Sequence, residues 1–467
     1  MKKLFFEKLD KFSHRNALIT ETGRAIKYKE LLLTINKVEK LIKYKRSRVF
    51  LLADNSYEFI FSYYALLRKK SIIFLLNSSL EEDKINRLIK IYKPYFIFDC
   101  GGLFKKKIKS FIEIEGIEKL KIFENKTKEK FQSSKKLAQL ISTSGSTGSP
   151  KFVKQTFENI EINTADIVNA LHLKKDDKTI TTMNPSYTYG LSKINTHIYT
   201  GGTIILNKKT VFDKDFWNKV NDFKVTNFGG VPFFFEMLKK LNFHNFHLKN
   251  LKHITQAGGK LNLELLKYFE EKRKKLKIKF YVMYGQTEAG PRISILNDKF
   301  LKKKIESVGK PIGNNKLWIE DENNKIIKKP NIAGKLFCKG KNVMLGYALN
   351  LKDLKIDRFN NVIDTGDMAY RDQDGFYYIV GRSKRIVKPF GLRIDLTELE
   401  NYLKNKKFND CVCIGNDKKI NIYSKHSNHL EMKNVVLSKL SLKRDIVNFL
   451  EDSEIPRDKN GKINYII

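Results

Sequence analysis

The chain has 467 residues, 41% of them hydrophobic, so it can bury a sizeable core and suits a large domain with a smaller appendage. Its formal net charge of +39 is spread along the whole chain, which argues against a nucleic-acid-binding protein, whose cations form a patch or stripe. No stretch approaches the roughly 20 apolar residues of a membrane span, and Glu7, Lys8 and Asp10 interrupt the apolar run that a signal peptide needs.

Short β-rich apolar runs alternate with longer segments of helical pattern. The runs are RVFLLA from Arg48, SIIFLL from Ser71, YFIFD from Tyr95, TITTM from Thr179 and GTIIL from Gly202. This alternation predicts parallel sheets with crossover helices. The segment from Val225 shows one such unit, with a strand, a Gly-Gly turn and then Pro232 at the first position of a helix. Sheets of this kind bind ligands beyond the carboxyl ends of their strands.

After about residue 310 the pattern changes to hairpin-like β-structure. Asn323-Asn324 and Asp374-Gly375 are turn candidates between alternating runs. We therefore expect an α/β fold in which residues 1–383 form a large domain of parallel-rich sheets with helices plus a small β subdomain. Residues 384–467 are expected to form a small α+β domain that docks on the larger body.

The segment ISTSGSTGSPK from Ile141 predicts a phosphate-binding loop. After a β-like run, residues 143–151 contain two glycines, whose backbone N–H groups can approach phosphate, together with five hydroxyl residues and Lys151. It is not a Walker loop, because two residues rather than four separate Gly145 from Gly148 and Lys151 follows proline. Taken alone, the segment is also compatible with a flexible surface loop.

Two further strand-then-loop segments carry groups suited to a nucleotide. FYVMYGQTEAG, from Phe280, places an aromatic ring, a glycine, a hydroxyl and a carboxylate within Tyr284 to Glu288. The ring can stack on a purine and the carboxylate can hold the Mg²⁺ that accompanies ATP. HITQAGGKL, from His253, adds a glycine pair that permits close approach by a flat base. Asp367, in DTGDMAY, can accept hydrogen bonds from both hydroxyls of a ribose.

Together these segments resemble the adenylate-forming superfamily of acyl-CoA synthetases, peptide-synthetase adenylation domains and firefly luciferase. The resemblance covers nearly the whole chain, in the family's order and at compatible spacing, in the segments STSGSTGSPK, AGG, YGQTE, GKLFCKGKNVMLGY, TGD, GRSKRIVKPFGLRIDLTELE and PRDKNGKI.

The resemblance implies an AMP-forming ligase that uses ATP and Mg²⁺ to activate a carboxylic acid as an acyl-adenylate. The pyrophosphate part of ATP would be handled by Thr143, Ser144, Gly145, Ser146, Thr147, Gly148 and Lys151. Tyr284 and Gly259 would border the adenine, Thr287 the α-phosphate, Glu288 the metal, Asp367 the ribose, and Arg382 the ribose and phosphate. Lys462 would enter the site for the first half-reaction and stabilise the α-phosphoryl group while pyrophosphate leaves.

The resemblance also implies a second arrangement for acyl transfer to the pantetheine thiol of CoA or of an acyl carrier protein. The C-terminal domain would turn about a hinge at Lys384 and bring the loop from Lys388 to Gly391 to the site. Gly391 would leave room for the pantetheine arm. The chain departs from the family's pattern at Lys335, where glutamate is usual, and in a C-terminal domain shorter than the family norm.

The acid substrate is less clearly encoded. The stretches that border the acyl pocket in relatives contain Tyr187, Tyr189, Gly190, Phe228, Gly229, Gly230 and Val231, although core packing also explains such aromatic clusters. The absence of an aspartate after the aromatic residues favours a plain acyl or aryl acid over an α-amino acid. We interpret His197 as a structural histidine, and Glu398 and Glu400 as parts of a helix that begins after Asp395.

Four cysteines in so long a chain do not suggest a disulfide framework or a zinc site, which favours a cytoplasmic location. Three other functions remain open at this point. The acyl group could be transferred to an amine, the chain could be a nucleotide-binding relative without turnover, or it could be a basic nucleic-acid-binding protein. No nucleic-acid partner and no membrane span are expected.

Overall fold

Two large sheets with helices on their faces, a small antiparallel sheet and a C-terminal unit make up the fold. The computed structural model describes residues 3–102, 110–142, 151–357, 360–382, 385–389, 392, 394–406, 408, 411–424, 429–440, 446–451 and 454–455.

The strands, in chain order, are β1 Asn16–Ile19, β2 Ala25–Lys27, β3 Arg48–Ala53, β4 Ile72–Asn77, β5 Phe96–Asp99, β6 Phe111–Ile117, β7 Leu120–Asn125, β8 Leu137–Ser142, β9 Phe152–Thr156, β10 Lys178–Ile180, β11 Thr203–Ile205, β12 Asn227–Gly230, β13 His253–Gln256, β14 Lys279–Tyr284, β15 Ser294–Leu296, β16 Lys310–Pro311, β17 Lys316–Glu320, β18 Gly334–Lys339, β19 Tyr347–Ala348, β20 Val362–Arg371, β21 Tyr377–Arg382, β22 Ile386–Val387, β23 Ile394–Asp395, β24 Val412–Gly415, β25 Ile420–Ser424 and β26 Val447–Glu451.

The α-helices are α1 Tyr28–Leu41, α2 Tyr57–Arg68, α3 Glu82–Tyr92, α4 Phe157–Leu171, α5 Thr188–Thr200, α6 Lys214–Asp222, α7 Pro232–Lys240, α8 Leu263–Leu276, α9 Asp298–Leu301, α10 Leu396–Asn405 and α11 His429–Leu440. Short 3₁₀ turns occupy Phe5–Glu7, Leu9–Phe12, Phe243–Asn245, Thr287–Ala289 and Leu351–Lys355. None of the helices in the described part of the chain is long and apolar enough to cross a lipid bilayer.

The first large sheet has the strand order β16-β15-β14-β13-β12-β10-β11-β1-β2, and the second has the order β19-β9-β8-β4-β3-β5-β7-β6. Strands β10 to β14 pair in parallel, and so do β5, β3, β4 and β8. The predicted α/β class is therefore confirmed. The antiparallel strands at the edges of both sheets, such as β9, β15 and β16, were not predicted.

Helices α4 and α5 lie between the two large sheets. Ile160 and Leu191 belong to the core that covers the second sheet, whereas Ile167 and Tyr189 pack against the first. Helix α7 begins with Pro232 at its first turn, as predicted, and packs with α6 and α8 on the outer face of the first sheet. Helix α5 is buried on nearly all sides, and its first turn lies at the edge where the strands of the first sheet end.

The small sheet has the antiparallel order β17-β18-β20-β21, and Asp374-Gly375 forms the turn between β20 and β21, as predicted. The residues after 385 have a hydrophobic core of their own, in which α10 and α11 pack on β25 and β26. That separate core supports the proposed division between residues 383 and 384, a boundary that lies outside the described residues and stays a prediction.

A buried polar group on α5 joins that helix to β12. The His197 ring is fully buried, its Nδ1 donates to the Lys193 carbonyl at 2.8 Å, and its Nε2 accepts from the Asn227 amide at 3.0 Å. The Lys193 ammonium in turn donates to the Asn227 side-chain oxygen. Burial, and then the charge of Lys193, lower the pKa of His197 to about 3. The interpretation of His197 as a structural histidine agrees with these contacts.

The stability of the fold should therefore depend on pH through His197. Its folded pKa lies below the unfolded value near 6.5, so the unfolded state takes up a proton first and stability is lost as pH falls from about 6.5 towards 3. At pH 5 this loss is about 2 kcal/mol. Chemical denaturation measures the free energy of unfolding at each pH. Between pH 7.5 and pH 5, we expect this free energy to fall by about 2 kcal/mol less in a His197→Gln variant than in the wild type.

The matched control is His247→Gln, which replaces an exposed histidine. It should keep the wild-type pH dependence. If His197→Gln kept the pH dependence of the wild type, the assignment of that dependence to His197 would be wrong.

Candidate active site

The carboxyl ends of the parallel strands in the first large sheet meet at one edge. Gly230 is in register with Gln256 on β13, and Gln256 is in register with Val282 on β14. The segments that follow these strands are therefore neighbours, and they contain the glycine pair Gly258-Gly259 and the run from Tyr284 to Glu288. The sequence prediction of a ligand site beyond these strand ends rests on the same geometry.

Tyr284 connects this edge to the small sheet. Its hydroxyl donates to Asp367 Oδ2 at 2.5 Å, and Asp367 is 2% exposed on β20. Gly366, just before it, has a φ of +72°, a conformation that favours glycine. Arg382 is paired directly with Asp367 across β20 and β21, although the side chain of Arg382 is outside the described part of the structure. Three residues predicted to border the adenine and ribose thus lie on adjoining elements.

Glu288 and Lys151, predicted for the metal and for phosphate, both contact the side chain of one tyrosine, Tyr347. The Tyr347 hydroxyl donates to Glu288 Oε1 at 3.0 Å, and the Lys151 ammonium lies 3.6 Å from the centre of the same ring. Strand β19 places Tyr347 there by pairing antiparallel with β9, directly opposite Val153. Glu288 itself is only 1% exposed. A buried carboxylate and an ammonium therefore both contact the Tyr347 side chain.

Tyr347 is the last residue of the segment GKLFCKGKNVMLGY, and no role for it was predicted. Its signal was available only as part of that motif, since a lone tyrosine near a strand predicts nothing by itself. The pairing of β19 with β9 spans almost 200 positions of sequence, and no local pattern indicates it.

Thr287 brings the strand edge into contact with α5. Its hydroxyl lies 3.4 Å from the Thr188 hydroxyl at the first turn of α5, and its carbonyl accepts from the Gln155 amide at 2.9 Å. The residue expected at the α-phosphate therefore borders the helix that carries the predicted acyl-pocket residues. Gln155, on β9, was not identified from the sequence.

Among the predicted acyl-pocket residues, the two tyrosines pack against β12, β13 and the glycine pair that follows β13. The Tyr189 hydroxyl donates to the Thr255 carbonyl at 2.8 Å and abuts Gly229, where a Cβ would collide with it. The Tyr187 hydroxyl lies 2.6 Å from where a Cβ on Gly258 would be. Burial raises the pKa of Tyr187 to about 12 and also raises that of Tyr189, so both hydroxyls stay protonated at neutral pH.

The other predicted pocket residues lie in different places. The Phe228 side chain points the opposite way, into the aromatic core formed with Phe216, Trp217 and Phe234, as expected where alternate residues of a strand face opposite sides. Gly190, at the first turn of α5, lies against the Asn184 carbonyl, so its role here is close packing. Gly230 and Val231 continue β12 towards α7, and Val231 lines the cavity at Gly258.

A cavity of about 660 Å³ lies between the glycine pair and the C-terminal unit. From the large domain it is lined by Gly258, Gly259, Lys239, Lys240, Lys260, Glu236 and Glu264, and from the C-terminal unit by Lys388, Asp417 and Lys418. The Lys388 backbone N–H donates to Asp417 Oδ1 at 2.6 Å. The cavity has the size of a pocket for a small molecule, and five of its lining side chains are lysines.

Several predicted residues lie outside the described part of the chain. They are Thr143, Ser144, Gly145, Ser146, Thr147, Gly148, Lys384, Gly391 and Lys462. Of the predicted residues that are described, the structure brings Lys151, Thr287, Glu288, Tyr284 and Asp367 to one edge. Lys335, the departure from the family's pattern, lies on β18, between Glu320 on β17 and Met368 on β20.

Glu288 is a candidate ligand for the Mg²⁺ that accompanies ATP. No group of three or more His, Cys, Asp or Glu side chains that could hold a metal occurs among the described residues. Mg²⁺ is typically bound by one or two carboxylates together with water and the phosphates of a nucleotide. A single buried carboxylate, Glu288, beside the cationic Lys151 matches that requirement.

Comparison with known proteins places these features in a family. Residues 5–348 match the family described as AMP-binding enzyme. The chain is 28% identical to a 2-succinylbenzoate–CoA ligase of Oceanobacillus iheyensis, over 83% of this chain and 80% of that one. It is 24% identical to gramicidin S synthase 2 of Brevibacillus brevis over 89% of its own length, but that match spans only 10% of the much longer synthase.

The fold is also that of a solved enzyme. The o-succinylbenzoate CoA synthetase of Bacillus subtilis, bound with its product analogue, superposes with a TM-score of 0.78 at 21% identity. The match covers 99% of this chain and 98% of that one. The similarity therefore includes the C-terminal unit as well as the two large sheets.

Proposed function

Because the chain belongs to the family of AMP-binding enzymes, we propose that it is an AMP-forming carboxylic acid ligase that makes an acyl-adenylate and transfers the acyl group to the thiol of CoA. The observation that carries the proposal is the convergence of Lys151, Glu288, Thr287, Tyr284 and Asp367 at one strand edge. Pantetheine on an acyl carrier protein is the alternative thiol donor.

In the first half-reaction a carboxylate oxygen of the acid attacks the α-phosphorus of ATP, and pyrophosphate leaves. Asp367, held by the Tyr284 hydroxyl, accepts the ribose hydroxyls, and Tyr284 and Gly259 border the adenine. Thr287 donates to an α-phosphate oxygen, and Lys151 and the loop of Thr143 to Gly148 hold the departing pyrophosphate. Glu288 would hold Mg²⁺, which neutralises charge on the phosphates when bound. Lys462 would stabilise the charge that develops on the α-phosphoryl group.

In the second half-reaction the thiol sulfur attacks the acyl carbon, the bond to the phosphate oxygen breaks, and AMP leaves with that oxygen. In this proposal, a thiol carried on a long arm would enter through the cavity between Gly259 and Lys388. The lysines that line it are suited to the phosphates of CoA. Lys384 and Gly391 would serve as hinge and as clearance for the arm in the same proposal.

The proposed reaction is tested directly by following its products. Purified protein is incubated with ATP, Mg²⁺, CoA and a panel of carboxylic acids, and we expect equal amounts of AMP, pyrophosphate and an acyl-CoA by mass spectrometry. Formation of AMP and an acyl-adenylate without acyl-CoA, with transfer to a phosphopantetheinylated carrier or to an amine instead, would change the acceptor but not the first step. Binding of ATP with no acid-dependent pyrophosphate would refute the proposal and favour a nucleotide-binding relative without turnover.

A cytoplasmic location belongs to the same proposal. ATP and CoA are both available there, and none of the four cysteines forms a disulfide.

A further inference from the structure

Arg292 is a fully buried cation behind the predicted acyl pocket. It lies between the turn Thr287–Ala289 and β15, and none of its surface is exposed. One guanidinium nitrogen, Nη1, donates to the Ser192 hydroxyl on α5, and the guanidinium lies over the Tyr189 ring, 4.4 Å from its centre. The other two nitrogens, Nε and Nη2, are buried and make no hydrogen bond of normal geometry with the described residues, although the Tyr189 hydroxyl lies close enough to interact with the guanidinium.

No carboxylate among the described residues offsets this charge. The ionisable groups that act on Arg292 are the hydroxyls of Tyr189 and Tyr187, and no described Asp or Glu is among them. The Lys193 side chain, one residue along α5 from Ser192, is also buried, and burial together with the charge of Arg292 lowers its pKa to about 7. Even with burial, the pKa of Arg292 stays at about 10, so the guanidinium is charged at neutral pH. A buried charge without a carboxylate beside it is costly to remove from water, and a protein rarely retains one without a use.

The position of Arg292 relative to the reacting groups follows from the geometry of α5. Thr188, which meets Thr287, and Ser192, which holds Arg292, are four residues apart and therefore on the same face of the helix. Four residues rise about 6 Å along the axis. The guanidinium thus lies about one helical turn deeper than the point where the acid would meet the α-phosphate. A molecule with an anionic group at each end of a short chain fits that separation.

We propose that Arg292 binds a second carboxylate at the far end of the acid, so that the substrates of this ligase are short dicarboxylic acids such as succinate and glutarate. This proposal rests on the proposed function and specifies its substrate class. Nε and Nη2 form one edge of the guanidinium, and a carboxylate can accept from both in the bidentate geometry that arginine favours. Tyr187 and Tyr189 would line the space between the two ends of the substrate.

The test compares acids of equal length that differ only in the second carboxylate. Acid-dependent ATP–pyrophosphate exchange is measured with glutarate against pentanoate and with succinate against butyrate, in the wild type, in Arg292→Met and in Arg292→Lys. In the wild type we expect kcat/KM for the dicarboxylate to exceed that for the matched monocarboxylate at least 10-fold. In Arg292→Met we expect kcat/KM for the dicarboxylate to fall about 10²-fold and that for the monocarboxylate to stay level or rise. Arg292→Lys should retain part of the preference.

A loss of equal size for both acids in the two variants would show that Arg292 only supports the fold, and would overturn the proposal. So would a wild type that uses the monocarboxylates as well as the dicarboxylates. A wild type that shows no pyrophosphate exchange with any of the acids tested would refute the proposed function instead. The anion site is then tested separately by thermal unfolding, since glutarate with ATP should raise the Tm of the wild type and of Arg292→Lys, but not that of Arg292→Met. If glutarate with ATP changed the Tm of the wild type and of Arg292→Met equally, the proposed anion site would be overturned.

Discussion

Replacing Lys462 by alanine is expected to lower acid-dependent ATP–pyrophosphate exchange about 10²-fold or more, the size expected for losing one strong charge from the transition state. The resemblance assigns this lysine to the α-phosphoryl group during adenylation, and it lies outside the described residues. The effect should appear mainly in kcat, because a charge that acts on the transition state contributes little to the binding of ATP or of the acid. Exchange of labelled pyrophosphate into ATP measures it.

Lys459, in the same segment, provides the matched control, and Lys459→Ala should exchange at nearly the wild-type rate. A second control uses a chemically prepared acyl-adenylate in place of ATP and acid. Lys462→Ala should convert that intermediate and CoA into acyl-CoA at close to the wild-type rate, because the lysine acts only in the first half-reaction. If Lys462→Ala exchanged pyrophosphate as fast as Lys459→Ala, the role assigned to Lys462 would be wrong.

Glu288→Gln is expected to reduce the same exchange by about 10²-fold and to raise the Mg²⁺ concentration needed for half-maximal rate. The substitution keeps the shape of the side chain but removes the buried negative charge beside Lys151 and Tyr347. A titration with MgCl₂ at saturating ATP and acid measures both effects.

Tyr347→Phe separates charge from positioning, since it removes the hydroxyl that donates to Glu288 and leaves the carboxylate in place. Loss of one such hydrogen bond should cost about 10-fold or less, with little change in the Mg²⁺ dependence. A Glu288→Gln enzyme with the wild-type Mg²⁺ dependence would rule out the metal role, whatever its rate.

The parts of the fold that follow from local sequence patterns could be predicted well. RVFLLA from Arg48 is strand β3 from end to end, because a short continuous run of apolar, β-branched and aromatic residues suits a strand buried on both faces. In the unit from Val225 the helix start was also placed correctly, since the fixed φ of Pro232 and its missing N–H mark the start of a helix. The Gly-Gly turn predicted there was wrong, because Gly229 and Gly230 belong to β12.

The relations that depend on distant residues could not be predicted in this way. Strand β9 pairs with β8 beside it but also with β19, and only the second pairing explains why Tyr347 reaches Glu288. Phe228 and Gly229 were predicted together for the acyl pocket, yet alternate residues of a strand face opposite sides and Phe228 lies in the core. Whether an arginine such as Arg292 is exposed or buried without a carboxylate is set by tertiary packing, which no local pattern records.

The central claim is that the carboxylate of the acid attacks ATP at its α-phosphorus, and isotope transfer tests it most directly. The protein is supplied with ATP, Mg²⁺, CoA and an acid whose reacting carboxylate carries ¹⁸O, and the products are weighed by mass spectrometry. Attack at the α-phosphorus followed by cleavage of the acyl–oxygen bond predicts one ¹⁸O atom in each molecule of AMP formed. The account would be contradicted by AMP without the label, or by a label found instead in inorganic phosphate together with ADP.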